Sequence, residues 1–292
     1  MDARLHRDVA RFAALTRPLL RTDPVRHTIA LTTLARRLRT PDAAPAAGPG
    51  PADAPEPAAL LTAHRDGELA GAALCMPPRD LVVSALPPTA AAAASEALVG
   101  LRIELPGAVG PRPEAEAFAR SWMAHTGVAV RERMAQRLFS LHRLVVPVGV
   151  AGSARPVCSA DIGLLAQWLA DFAREATGGL RDPGSAAEQT RRSLAAGSSM
   201  LLWQVGHQPV AWASASSPVA AMSRIGPVYT PPQHRGHGYG SAVTAAAVQC
   251  VRRAGARHVV LFTDLANPVP NAIYPRLGFR PVHDTVELAF TA

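Results

Sequence analysis

One stretch decides how this chain folds and what it binds: Tyr229-Thr230-Pro231-Pro232-Gln233-His234-Arg235-Gly236-His237-Gly238-Tyr239-Gly240. Ser223–Thr230, which leads into it, is typical of a strand, and the alanine-rich Tyr239–Ala254 is typical of a helix. A glycine-rich turn that opens a helix presents backbone N–H groups at the positive end of the helix dipole. The glycines let a bulky phosphate approach the backbone, and Arg235 adds a charge beside it. The stretch therefore predicts an anion site.

Alternating glycines occur in several phosphate-binding families, so the surroundings of the turn must discriminate between them. A Rossmann site has an acidic residue about twenty positions further on, and none stands there. A P-loop has Gly-Lys-Ser/Thr in the turn, and the chain contains no lysine. His234 and His237 have no carboxylate neighbours in the turn, so no metal is expected there.

Three segments in order resemble the GNAT acyltransferase superfamily. Arg235–Gly240 matches its R-x-x-G-x-G/A signature, Ile225–Thr230 resembles its fourth strand, and Asn267–Val282 resembles its motif B. The resemblance covers about Arg155–Ala292. The first half of the chain is similar to the degenerate N-terminal domain of tandem GNAT proteins, because Leu86–Leu98, at the place of the signature, reads Pro, Pro, Thr and then Ala.

This resemblance implies an α/β fold with two tandem GNAT-like domains, each with a central mixed β-sheet flanked by helices. We expect a degenerate N-terminal domain over 1–150, with a flexible loop of Pro, Ala and Gly at 41–58, and a catalytic domain over 151–292. The hairpin pattern of Leu60–Cys75 recurs 141 positions later, which also indicates two copies of one unit. Asp8–Leu38 has helical periodicity, interrupted at Pro18 and Pro24.

The family's donor site can be placed on this sequence residue by residue. The backbone N–H groups of the glycine turn would hold the diphosphate of CoA, and the strand before it would pair with the pantetheine arm like an extra strand. Asn267 and Asn271 would face the same arm, and Asn267 also has the position of a helix cap before Pro268. The cofactor-binding residues implied by the resemblance are Val228, Tyr229, Gln233, His234, Arg235, Gly236, His237, Gly238, Tyr239, Gly240, Ser241, Asn267 and Asn271.

Tyr274 is the catalytic residue that the resemblance implies. Its phenol would protonate the departing thiolate, and the alternative is that it only packs beside Leu277 and Phe279. Pro275 departs from the expected pattern, because proline removes a backbone donor and disfavours helical dihedral angles in the residue before it. The general base stays open between Asp264 and Glu175.

Composition and charge narrow the possible binding partners and the expected cellular location. The net charge is +8, carried by scattered arginines, which suits either solvated surfaces or an anionic partner. The three cysteines are far apart, which predicts reduced thiols, and no apolar run reaches the ~20 residues of a membrane span. The charged Met1–Leu15 argues against a signal peptide. We therefore expect a cytoplasmic protein without membrane contact, either monomer or homodimer.

The leading prediction is an N-acyltransferase that moves an acyl group, acetyl by default, from an acyl-CoA or acyl-phosphopantetheine thioester to a primary amine of a small molecule by direct transfer. One alternative donor is a phosphopantetheinyl carrier protein or an aminoacyl-tRNA in natural-product biosynthesis. A second alternative is a non-catalytic acyl-CoA-binding regulatory protein. A nucleic-acid-binding protein is not favoured, because the sequence lacks helix-turn-helix, zinc and RNP-like motifs.

Overall fold

The computed structural model describes residues 1–39, 58–101, 103–177 and 182–291 of the chain. It divides into two compact units: unit 1 is Met1–Leu138, Thr263–Ala266 and Val282–Ala292, and unit 2 is Phe139–Phe262 and Asn267–Pro281. The C-terminal residues thus belong with the first unit. The predicted boundary at residue 150 stays a prediction.

Unit 1 is built on a mixed sheet whose neighbours run β1-β2-β3-β4-β5-β12. The β4–β5 pair is parallel, and the pairs β1–β2, β2–β3, β3–β4 and β5–β12 are antiparallel. Its apolar core includes Leu61, Leu81, Phe118 and Trp122. The elements of the first half of the chain are β1 Asp2–His6, α1 Val9–Thr22, α2 Thr28–Arg39, β2 Ala59–Arg65, β3 Glu68–Cys75, β4 Leu81–Ala85, α3 Ala91–Gly100, β5 Gly107–Pro111, α4 Arg112–Thr126 and β6 Ala129–Leu141.

Unit 2 repeats this plan with the neighbours β11-β10-β9-β8-β7 and one parallel pair, β10–β11. The elements of the second half of the chain are β7 Ser153–Pro156, α5 Ile162–Thr177, α6 Pro183–Ala195, β8 Ser199–Val205, β9 Gln208–Ala215, β10 Met222–Tyr229, α7 Tyr239–Arg253, β11 His258–Asp264, α8 Pro268–Arg276 and β12 Phe279–Thr291.

Two apolar cores cover opposite faces of the unit 2 sheet, since successive strand residues point to opposite sides. Leu201 and Ala213 pack with Val243 of α7. Leu202 and Trp212, their chain neighbours, pack in the other core with residues of α5 and α6. The sheet therefore carries α7 on one face and α5 on the other.

The strand registers confirm the repeated hairpin and correct its predicted offset. Leu61 pairs with Ala73 in the first hairpin, and Leu201 pairs with Ala213 in the second. Each hairpin has a bulge in its second strand, at Ala70 of β3 and at Val210 of β9 respectively. The copies are therefore 140 positions apart, and the predicted 141 was wrong by one residue, a slip that would exchange the two faces of a strand.

The first helical segment also differs from its prediction. The chain begins with a short strand, β1, and α1 includes Pro18 without interruption. The helix does break near Pro24, where α1 ends at Thr22 and α2 begins at Thr28. The loop predicted at 41–58 lies almost wholly outside the described residues. No helix within the described ranges is long and apolar enough to cross a membrane.

Candidate donor site

The parallel strands β10 and β11 separate at a bulge. Their pairing runs from Met222 with His258 to Ile225 with Leu261, and the register with β9 shifts just beyond Ile225. Gly226 is exposed there and has a φ of 143°, a conformation that favours glycine. Val228 and Tyr229 keep their pairing with β9 only. The edge of β10 that faces β11 is therefore open to an extended ligand.

The glycine turn follows this open edge. Pro232–His234 form a single 3₁₀ turn, and the chain then passes through Gly236 (φ 83°) and Gly238 (φ 79°) into α7. Gly238 is the N-cap and no side chain caps the helix. The first N–H groups of a helix have no intrahelical acceptor, so those of Tyr239, Gly240 and Ser241 are available to an anion.

The side chains of the turn leave it accessible. Gln233 and His237 are exposed and His234 is half-buried. The ring of His237 stacks on Tyr239 with centroids 5.3 Å apart, and its Nδ1 lies 2.8 Å from the carbonyl oxygen of Arg235. These contacts favour a fixed conformation of the loop.

Arg235 is held on the α5 face of the sheet. Its Nε donates to the Thr230 carbonyl at 2.9 Å, and its Nη2 donates to Glu175 Oε2 at 2.5 Å. The guanidinium carbon lies 5.9 Å from the centroid of the Tyr229 ring. The expected contact between Arg235 and a phosphate stays a prediction, whereas its contacts with Glu175 and Tyr229 could not be read from the sequence.

The polar residues that begin α8 are bonded to their own helix. Asn267 caps it, with its side chain accepting from Val269 N at 3.2 Å. Asn271 Nδ2 donates to the Asn267 carbonyl at 2.7 Å. Asn267 therefore has the capping role expected of it, and its contact with a pantetheine arm stays a prediction.

Tyr274 lies against α7, the helix that follows the glycine turn. Its ring meets Phe279 edge-on with centroids 5.8 Å apart, and its hydroxyl is hydrogen-bonded to Thr244 of α7. The Thr244 hydroxyl in turn donates to the Gly240 carbonyl at 2.7 Å. Burial raises the pKa of Tyr274 to about 12, so the phenol keeps its proton at neutral pH and can act as an acid.

Pro275 disturbs α8 less than the sequence suggests. The helix ends at the next residue, Arg276, and Tyr274 keeps a helical position. Leu277 N still donates to the Ile273 carbonyl at 3.2 Å. Because the proline stands in the last turn, its missing donor removes only one of the final backbone bonds.

Neither candidate for the general base is established. Asp264 Oδ1 accepts from Ala266 N at 2.8 Å in a local turn. Both oxygens of Glu175 accept hydrogen bonds, from Tyr229 and from Arg235. Within the described ranges, no group of three or more His, Cys, Asp or Glu side chains could hold a metal ion.

Comparisons with known proteins agree with this geometry. The model of the acetyltransferase (GNAT) family matches residues 165–279, so this part of the chain is a GNAT domain. A tandem GNAT protein from the clavulanic acid biosynthesis pathway has the same fold over 100% of this chain and 99% of its own, with 14% identity and a TM-score of 0.59. No curated protein matches the sequence significantly.

Two further solved structures share the fold over nearly the whole chain. An acetyltransferase of the GNAT family from Colwellia psychrerythraea covers 100% of both chains, with 11% identity and a TM-score of 0.58. A GCN5-related N-acetyltransferase from Sphaerobacter thermophilus covers 99% of this chain and 95% of its own, with 17% identity and a TM-score of 0.56. The fold is therefore that of tandem GNAT proteins, and the family activity is acyl transfer from acyl-CoA.

Proposed function

We propose that this protein transfers an acyl group, acetyl by default, from an acyl-CoA directly to a primary amine of a small molecule. The observation that carries the proposal is the adjacency of an open strand edge at Val228–Tyr229 and a helix start with free N–H groups at Tyr239–Ser241. A pantetheine arm needs the first feature and a diphosphate needs the second. A single ligand that has both groups in this order is CoA.

The donor would be held mainly by backbone groups. The turn from Gln233 to Ser241 receives the diphosphate, and glycine at positions 236 and 238 allows the positive φ angles that this turn requires. The pantetheine amides pair with Val228 and Tyr229 along β10, with Asn267 and Asn271 at the start of α8 as further polar partners. Backbone recognition of this kind requires an intact loop conformation more than any one side chain.

The chemistry then needs one proton transfer to sulfur. The neutral amine attacks the thioester carbonyl carbon, the new C–N bond forms, and the C–S bond breaks. The departing thiolate takes a proton from the Tyr274 hydroxyl, while the amine nitrogen loses a proton to water or a base. The phenol holds this proton at neutral pH and gives it up only as negative charge develops on sulfur.

A donor screen tests the proposal. The protein is incubated with acetyl-CoA, longer acyl-CoAs and an acyl carrier protein loaded with acyl-phosphopantetheine, each with a panel of primary amines, and free thiol is followed. We expect amine-dependent release of thiol from acetyl-CoA or another acyl-CoA. Release only from the loaded carrier would instead identify a carrier-protein donor. Binding of CoA without release of thiol from any donor would favour a non-catalytic acyl-CoA-binding protein.

A further inference from the structure

Three side chains join α5, β10 and the glycine turn. Glu175 Oε1 accepts from the Tyr229 hydroxyl at 3.0 Å, and Glu175 Oε2 accepts from Arg235 Nη2 at 2.5 Å. Each carboxylate oxygen thus has a different partner, one on the strand and one on the turn. We call these three residues the Glu175 clasp.

The clasp lies on the face of the sheet opposite α7. Tyr229 packs with Trp168 and Phe172 of α5, at ring-centroid distances of 6.2 Å and 6.5 Å. The helix that offers its N–H groups to the anion packs on the other face, where Val243 belongs to a separate core. The Arg235 guanidinium, over the Tyr229 ring, is therefore directed away from the core that contains α7.

The backbone of the turn needs an anchor at this point. Gly236 and Gly238 are exposed, and a glycine backbone has more conformations available than any other. On the helix side, the buried Ala242 and Val243 fix the end of the turn. On the strand side, the Arg235 side chain donates hydrogen bonds to Thr230 and Glu175. These hydrogen bonds fix Arg235, the residue directly before Gly236.

We propose that Glu175 is a positioning residue of the donor site, which holds Arg235 so that the turn presents its N–H groups in a fixed array. Arg235 then acts through the clasp and not by direct contact with the diphosphate. Preorganised donors bind an anion more tightly because the loop loses less conformational entropy on binding. This inference rests on the proposed function, since it assumes that the donor binds at the turn.

The direction in which loss of Glu175 changes the affinity for CoA distinguishes the clasp from a direct electrostatic effect. A carboxylate near a diphosphate site repels the ligand, so its removal should by charge alone strengthen binding. The clasp predicts the reverse, because loss of Glu175 releases Arg235 and loosens the turn. If Arg235 instead bound the diphosphate directly, Glu175 would compete with the ligand for the guanidinium. The direction of the Glu175→Ala effect therefore separates the two roles.

The test is calorimetric titration of CoA into wild type, Glu175→Ala, Arg235→Ala and the double variant. We expect each single variant to weaken CoA binding about tenfold, and the double variant to be no weaker than the singles, as for residues that act as one unit. Glu175→Gln retains an oxygen that can accept from Arg235, so its affinity should stay within about threefold of wild type. Arg235→Lys keeps the charge but lacks the planar fork and should weaken binding like Arg235→Ala.

Glu188→Ala is the matched control. Glu188 is paired with Arg192 on α6 in the same unit, with Nε 2.8 Å from Oε1, and has no bond to the turn. Its loss should leave CoA affinity unchanged. Thermal unfolding of every variant accompanies the titrations, and Glu175→Gln with Arg235→Lys keeps the test complete if an alanine variant does not fold.

Four results would overturn the inference. They are stronger binding by Glu175→Ala, additive losses in the double variant, full affinity in Arg235→Lys, and CoA affinity unchanged in all variants. A wild-type protein that binds no CoA would instead remove the proposed donor site itself, a failure that is visible before any variant is compared.

Discussion

The two units share a framework and differ at the turn that leads into the helix after the bulged strand. In unit 1 the 3₁₀ turn Pro88–Ala90 continues directly into α3 at Ala91. In unit 2 the corresponding turn, Pro232–His234, is followed by Arg235–Gly238 before α7 begins. The predicted anion site is therefore an insertion between a turn and a helix that both units possess.

The parallel strands themselves do not distinguish the units. In unit 1 the pairing of β4 with β5 is Leu81 with Ala108 and Val82 with Val109, and the register of β4 with β3 shifts just beyond Val82. In unit 2 the pairing of β10 with β11 ends at Ile225, and the register of β10 with β9 shifts just beyond it. The inserted Arg235–Gly238 is therefore the feature that separates the proposed donor site from the corresponding place in unit 1.

The largest effect is expected from Gly238→Val. A residue with a β-branched side chain is strained at a φ of 79°, and a Cβ here would lie 3.1 Å from Val150 Cγ2. Binding of CoA, measured by calorimetry, should be abolished while circular dichroism shows an intact fold. The control is Gly127→Ala in unit 1, where φ is 74° with open space around the position. It should lower thermal stability and leave CoA affinity unaltered, and retained CoA binding by Gly238→Val would contradict the site.

Tyr274→Phe is expected to have the next largest effect. The change introduces into α8 the residue type that unit 1 has at the matching position of α4. That residue is Phe118, which follows the N-cap of α4 by the same number of residues as Tyr274 follows the N-cap of α8. Loss of the acid should lower kcat by ~10²–10⁴-fold with little change in donor KM. Steady-state kinetics with the donor found in the screen measures both constants. Near-full turnover would mean that the proton comes from water or from the acceptor's own ammonium.

Local signals were sufficient for the elements around the site. The glycine turn, the helix after it and both hairpins have short-range sequence patterns, and the structure has each of them. The strand β1 was missed because its five residues, Asp2–His6, are mostly polar and exposed. The offset error has a different cause. Matching Leu60-Leu61 to Leu201-Leu202 gives an offset of 141, whereas the registers place Leu61 and Leu201 at equivalent positions; adjacent identical residues point to opposite faces of a strand, so their identity does not fix the register.

The sequence did not predict the contacts between residues that are far apart in the chain. Nothing in the spacing of Glu175, Tyr229 and Arg235 indicates that one carboxylate bonds the other two. The same holds for the hydrogen bond of Tyr274 to Thr244, and for β12, whose Thr285–Ala289 pair with β5 near the middle of the chain. Such pairings depend on the packing of whole elements, which no local pattern records.

A smaller difference between the units is expected in their response to acid. His27 of unit 1 is buried beside Ser84, and burial lowers its pKa to about 4 from an ordinary value near 6.5. The unfolded chain therefore binds a proton between these values that the folded chain does not. The stabilising contribution is present above about pH 6.5 and is lost as the pH falls towards 4, by up to about 3 kcal/mol.

Urea unfolding at pH 7 and pH 4.5 measures this effect. The loss of stability should be largest for wild type and smaller for His27→Gln, whose side chain does not titrate. Burial also lowers the pKa of His6 and His283, both in unit 1, so some dependence on pH remains in the variant. An equal loss of stability in both proteins would show that His27 is not responsible.

Hydrogen–deuterium exchange with and without CoA tests the central claim most directly, because it locates bound donor on the backbone of both units in one experiment. Bound CoA should slow the exchange of amides in the segment from Gln233 to Thr244 and along Val228–Tyr229. The matching segment of unit 1, Leu86–Leu98, should exchange at the same rate with and without CoA. Protection of Leu86–Leu98, or no protection at the glycine turn at saturating CoA, would contradict a single donor site in unit 2.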